Sequence, residues 1–89
     1  MRKTTKTIHA AFQDQRPCRV GNTHTDGNAV YLHGNKIVER RADGIYVSNA
    51  GWSSSTTKER LNAFCSVVQR NFSWFINGQP YDGGWVRVS

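Results

Sequence analysis

Gly51-Trp52-Ser53-Ser54-Ser55-Thr56-Thr57-Lys58-Glu59-Arg60-Leu61-Asn62-Ala63-Phe64 is the stretch on which the reading of the fold turns. Thr56-Thr57-Lys58-Glu59 fits a capping box, in which the Thr56 hydroxyl accepts from the third helical amide and Glu59 reaches back to the Thr56 amide. Behind it, Thr57, Leu61, Phe64, Cys65 and Val68 recur at helical spacing and share the face that packs on a sheet. Lys58, Glu59 and Asn62 are expected to face solvent. The β-branched pair Val67-Val68 lowers helix propensity, so the helix is expected to end near Phe64 and Cys65. On both sides of it the apolar residues alternate with period two, the mark of half-buried strands.

Upstream, Asp26-Gly27-Asn28 signals a turn. Ala29 to His33 then reads as a strand with Val30 and Leu32 on one face and Tyr31 and His33 on the other. Gly34-Asn35 interrupts it as a bulge or a turn. Lys36 to Arg40 resumes, Ala42-Asp43-Gly44 marks a hairpin, and Ile45 and Val47 alternate with Tyr46 and Ser48. Downstream, Ser66 to Arg70 and Phe72 to Ile76 form a second hairpin around Arg70-Asn71, with Phe72, Trp74 and Ile76 on one face. Asn77-Gly78 suits a type I′ turn, and Trp85 to Val88 forms the last strand. The order β-β-β-α-β-β-β gives an α+β fold: an antiparallel sheet of about five to six strands with one short helix on one face. Residues 20–89 make that single small domain. Residues 1–19 read as a basic segment, an arm or an edge strand, in which Ile8, Ala10 and Phe12 alternate before Arg16-Pro17 breaks the chain.

Eighty-nine residues suffice for one domain, and ten aromatic rings suit a small core with few residues to fill it. The net charge of +6 directs attention to nucleic acid or an acidic protein surface. It is uneven: residues 1–19 carry Arg2, Lys3, Lys6, Arg16 and Arg19 against Asp14 alone. Cys18 and Cys65 lack metal-site or scaffold spacing, so a free, reduced pair is expected. The basic N-terminus has no apolar run behind it, which excludes a signal peptide. No stretch approaches the roughly 20 apolar residues of a membrane span, so cytoplasm is the expected compartment.

Two constellations stand out. Ser53, Ser54, Ser55 and Thr56 surround a helix start, where unpaired amides and a partial positive charge can hold an anion. A simple cap is the favoured reading there. Lys36, Arg40 and Arg41 lie near Tyr31 and Tyr46 on neighbouring strands, and such a face can stack unpaired bases and hold their phosphates. Glu39 and Asp43 dilute its field, which favours an ordinary solvated face. Lys58 and Arg60 add two further cations for a partner or a nucleic acid. His9, His24 and His33 have no metal-ligand spacing, Asp26, Asp43 and Asp82 each sit beside glycine as turn residues, and Cys65 belongs to an apolar helix face. Ser53 to Ser55 lack a nucleophile-elbow context. No catalytic residue, metal site or cofactor is expected, and an enzyme is not the reading. Trp52 and Trp85, each following glycine, are either core anchors or exposed contact points.

Leu32-His33-Gly34-Asn35-Lys36-Ile37, Gly44-Ile45-Tyr46-Val47-Ser48 and Ala50-Gly51-Trp52 with Thr56-Thr57-Lys58-Glu59-Arg60-Leu61-Asn62-Ala63 together resemble a small domain found in many bacteriophage-encoded proteins. The likeness covers roughly residues 20–80 and leaves the basic N-terminus outside. It supplies no catalytic residues to carry over. It implies a phage accessory protein, made in the cytoplasm of the infected bacterium, that binds and inhibits a host protein or complex, as anti-CRISPR and anti-restriction proteins do. The positive charge argues against an acidic mimic of DNA. The alternative is a small basic nucleic-acid-binding module that uses the N-terminal segment with Arg40, Arg41, Lys58 and Arg60. Monomer and dimer both remain open.

Overall fold

The computed structural model, which describes residues 2–89, begins with a helix where the sequence suggested an arm or an edge strand. α1 spans Lys3–Gln13 and buries Thr5, Ile8, Ala11 and Phe12. These four recur at helical spacing, and the apparent alternation of Ile8, Ala10 and Phe12 is broken because Ala10 is exposed. α1 ends in a Schellman motif. Gln15 takes a left-handed φ of 54°, its amide donates to the Phe12 carbonyl at 3.1 Å, and the Arg16 amide donates to Ala11 at 3.0 Å.

Five strands follow: β1 (Cys18–Val20), β2 (Thr23–Thr25), β3 (Ala29–Leu32), β4 (Asn35–Arg41) and β5 (Gly44–Val47). Then come α2 (Ser55–Leu61), β6 (Val67–Arg70), β7 (Ser73–Ile76), β8 (Gln79–Pro80) and β9 (Val86–Arg87). The expected class is the observed one, α+β with antiparallel strands, but the single expected helix is one of two. The strands also divide. β1-β2-β3-β4-β5-β9 make a six-stranded sheet, while β6-β7-β8 form a separate three-stranded meander. Short turns keep the meander local, and only the last strand returns to pair with β5. Asn77 and Gly78 both have positive φ, 50° and 83°, as a type I′ turn requires.

At the β4–β5 hairpin the two loop residues are Ala42 and Asp43, because Arg41 pairs with Gly44. Gly44 instead permits a close approach: a Cβ there would overlap the Ser89 carbonyl oxygen of the chain end. α2 stops at Leu61, short of the expected Phe64, and is capped differently from the capping-box reading. Ser54, not Thr56, is the N-cap, and its hydroxyl accepts from the Thr57 amide at 3.2 Å. Ile8 and Phe12 of α1, Val30, Leu32, Ile37, Val38 and Val47 of the main sheet, Leu61 of α2 and Val67, Trp74 and Ile76 of the meander fill one core. Phe72 does not join Trp74 and Ile76. It sits in the β6–β7 turn and is 96% exposed.

Candidate functional site

Strand alternation gives the main sheet two unlike faces. Val30, Leu32, Val38 and Val47 point into the core. The opposite row runs Arg19, His24, Tyr31 and Lys36 across β1 to β4 in cross-strand register, and Glu39, Tyr46 and Arg87 across β4, β5 and β9. A register shift between Val30 and Tyr31 joins the two rows. It lets the adjacent Ile37 and Val38 both turn inward while Lys36 and Glu39 both stay on the outer face.

Rings and cations interleave on this face. His24 stacks on Tyr31 with centroids 4.7 Å apart and planes 8° from parallel. The Lys36 ammonium lies 6.0 Å from the Tyr31 centroid. The Arg41 guanidinium covers Tyr46 at 4.0 Å and approaches Trp85 at 5.5 Å. Glu39 bridges the cations, accepting from Arg41 Nε at 2.7 Å and Lys36 Nζ at 3.3 Å. The Tyr46 hydroxyl donates to Asp43 Oδ2 at 2.7 Å. Arg19, Lys36, Arg41 and Arg87 thus outnumber Glu39 and Asp43, and the face stays positive. The Arg41 and Lys36 bonds hold Glu39 below the usual carboxylate range, and the Tyr46 hydroxyl does the same for Asp43. In turn the Asp43 bond raises the Tyr46 phenol. Glu39 and Asp43 therefore stay ionised and Tyr46 neutral at neutral pH.

The structure sorts the sequence candidates. Lys36, Arg41 and Arg19 share the outer face with Tyr31 and Tyr46. Arg40 turns the other way: its Nη2 donates to the Phe12 carbonyl at 2.7 Å and its guanidinium lies 4.3 Å from the Phe12 ring. Arg60, read as a partner contact, is only 5% exposed and donates to Thr23 Oγ1 at 2.9 Å and Thr5 Oγ1 at 3.0 Å. Both are struts inside the fold. Arg2, Lys3 and Lys6 are exposed on α1, which packs against the sheet from the core side and so away from the outer face. Arg16 pairs with Asp14, and Lys58 Nζ donates to Gln69 at 3.1 Å. Ser53, Ser54, Ser55 and Thr56 do not converge on one anion site: Ser54 caps α2, Ser53 accepts from the Asn49 side-chain amide, Ser55 is exposed, and Thr56 lines a cleft on the core side of the sheet. The sequence reading missed His24, Trp85 and Arg87 as members of the face. Their signal was parity with Tyr31 and Tyr46, which needs the register to become visible.

The match to a family model covers residues 1–87, α1 included, and that model describes the Kyanoviridae Gp96 protein. The chain belongs to this family. It is thus a phage protein, and the likeness reaches through the basic N-terminus that the motif resemblance left outside. No curated protein and no solved structure matches it. In this Gp96-family chain burial pushes the Cys65 thiol up to about 11, which keeps it un-ionised at neutral pH. Among the described residues no three or more His, Cys, Asp or Glu side chains gather as a metal ion would need, and no helix is long and apolar enough to cross a membrane.

Proposed function

We propose that this phage protein acts by binding, without transforming its ligand, and that the outer face of its main sheet takes single-stranded nucleic acid. The observation that carries this is the interleaving of Tyr31, Tyr46 and Trp85 with Lys36 and Arg41 on one face. Rings give unpaired bases a sequence-tolerant surface, and the cations track the phosphates. The net charge of +6 supports the same ligand class by raising its local concentration. The test is fluorescence anisotropy with labelled DNA and RNA homopolymers over a salt series. Affinity should fall linearly with salt on logarithmic axes, because bound counterions are released. Lys36→Ala and Arg41→Ala should each reduce that slope by about one. Absence of binding at low salt, or a slope that neither variant changes, would reject the reading.

A second reading, inhibition of a host protein such as a bacterial defence complex, is favoured by Phe72. This ring is 96% exposed at a hairpin tip, with a φ of 66° that a phenylalanine rarely adopts. Exposed rings of this kind serve as interface anchors. In that case a defined complex should be recovered from host cytoplasm after nuclease treatment, and Phe72→Ser should release it while Arg41→Ala should not.

A further inference from the structure

A cleft of about 350 Å3 opens at the end of the β3–β4 hairpin, on the side opposite the basic face. That is the lower end of small-molecule sites, about 300 Å3 and upward. Leu32 and Ile37 form its floor, and Trp52 lines it while remaining 62% exposed. A ring so exposed would ordinarily sit on a loose loop. Here the loop is fastened. The Trp52 amide donates to the Asn49 carbonyl at 2.8 Å, the Gly51 amide to Asn49 Oδ1 at 2.9 Å, and the Asn49 amide to the Tyr81 hydroxyl at 3.0 Å. Ala50 holds a left-handed φ of 54°, a conformation disfavoured for a residue with a Cβ. Nothing in the core uses the ring that this strained turn presents.

The rim holds no lysine, arginine or carboxylate; its polar members are His33, Asn35, Asn49, Ser54, Thr56 and Thr57. Asn35 and Thr56 line the cleft, and among the described residues neither side chain makes a hydrogen bond. A phosphate or carboxylate inside would find no lysine or arginine to pair with. A planar neutral heterocycle would find a ring to stack on, an apolar floor and an amide that both donates and accepts. We infer that the cleft beneath Trp52 is a binding site for a single unpaired nucleobase, with Trp52 stacking on it and Asn35 reading its edge. Asn35 directly precedes Lys36, so a strand held on the basic face can pass one base around the His33–Gly34 turn into the cleft. The inference rests on the nucleic-acid reading only for the source of that base, since a free nucleoside carries the same chemistry.

Both sources are tested on the full chain by NMR, following the Trp52 indole N–H and the Asn35 side-chain amide. One titration uses the four free nucleosides and the other uses oligonucleotides. Saturable movement of both signals, independent of salt for the nucleosides, is expected. Trp52→Ala should abolish the movement of the Asn35 amide, and Asn35→Leu should weaken the response of the Trp52 indole at least tenfold. Trp52 is exposed, so its replacement leaves the fold intact, as circular dichroism will register. Oligonucleotides that shift Lys36, Arg41 and Tyr46 but leave Trp52 and Asn35 unmoved would overturn the cleft assignment and spare the sheet face. Nucleosides that move the cleft while oligonucleotides show no salt-dependent binding would support the cleft and remove the sheet face. An equal response to phenol, which stacks but lacks the double edge, would overturn base recognition.

Discussion

Glu59 of α2 accepts a hydrogen bond from the Arg2 backbone amide at 3.1 Å and so closes the N-terminus of α1 rather than of its own helix. α1 has no acidic residue in its first turn and no side-chain cap, which leaves its positive end unserved locally. Glu59 supplies the missing charge from across the chain, and also accepts from the Thr5 hydroxyl and from Arg60. Arg60 completes the node by donating to Thr5 of α1 and Thr23 of β2. Two helices and the sheet are joined at one buried polar point.

Arg60→Leu should therefore destabilise the protein by about 1–3 kcal/mol, because it removes the buried donor that Thr5 and Thr23 share and the counter-ion of Glu59. Urea unfolding measures it. Hydrogen exchange should show the loss of protection spreading through Lys3–Gln13, because the substitution frees the start of α1. A cost below about 1 kcal/mol would mean that the node is dispensable.

The same node should make stability depend on acid. Desolvation raises the Glu59 pKa, but bonds from Thr5, the Arg2 amide and Arg60 outweigh it and leave the carboxyl below its ordinary 4.5. A carboxyl lowered in the folded state contributes stability that is present above the unfolded value and is lost as pH falls through the folded one. Wild type should exceed Glu59→Gln in stability at neutral pH, and the gap should close below pH 4.5. Asp26, Glu39 and Asp43 are lowered too, but they are common to both proteins and cancel. A gap that stays constant down to about pH 2 would contradict the assignment.

Asn71 and Phe72 both occupy positive φ, 49° and 66°, in the β6–β7 turn. Glycine takes the second of these positions without strain. Phe72→Gly should raise stability by about 0.5–1 kcal/mol, since the exposed ring contributes no packing. A lower thermal midpoint would show that Phe72 is supported inside the free protein. A gain, coupled with lost binding to any host complex, would mark the turn as strained for contact.

With its thiol at about 11 against an ordinary 9.0, Cys65 has about a hundredfold less thiolate at pH 8 than a free cysteine. In a Cys18→Ser background, alkylation of Cys65 should be correspondingly slow in the native protein and return to the ordinary rate in denaturant. Rapid native labelling would mean that the α2 end opens readily.

Much of the main sheet was legible as sequence. Val30 against Tyr31 and Val47 against Tyr46 in that sheet, and the Asn77-Gly78 pair in the meander, carry period-two and turn signals that depend only on neighbours. α2 was legible as well, though its cap moved from Thr56 to Ser54 because several hydroxyls in a row offer the same bond. α1 was misread because Lys3–Gln13 is rich in threonine and lacks a capping signature. Its burial of Ile8 and Phe12 in the common core outweighs that weak propensity. The grouping on the candidate face was half legible: Tyr31, Lys36, Arg41 and Tyr46 lie together as expected, whereas Arg40 and Arg60 turn inward.

Local chemistry by itself settled which segments turn, which alternate and that the chain is basic, since steric and charge preferences act over a few residues. Tertiary structure alone decided which arginines remain available. Arg40 and Arg41 are neighbours, yet strand parity sends one onto Phe12 and the other over Tyr46. No property of either residue distinguishes them. The bulge near Tyr31 sets the register, the register sets the face, and the face determines whether a guanidinium braces the fold or lies open on the surface.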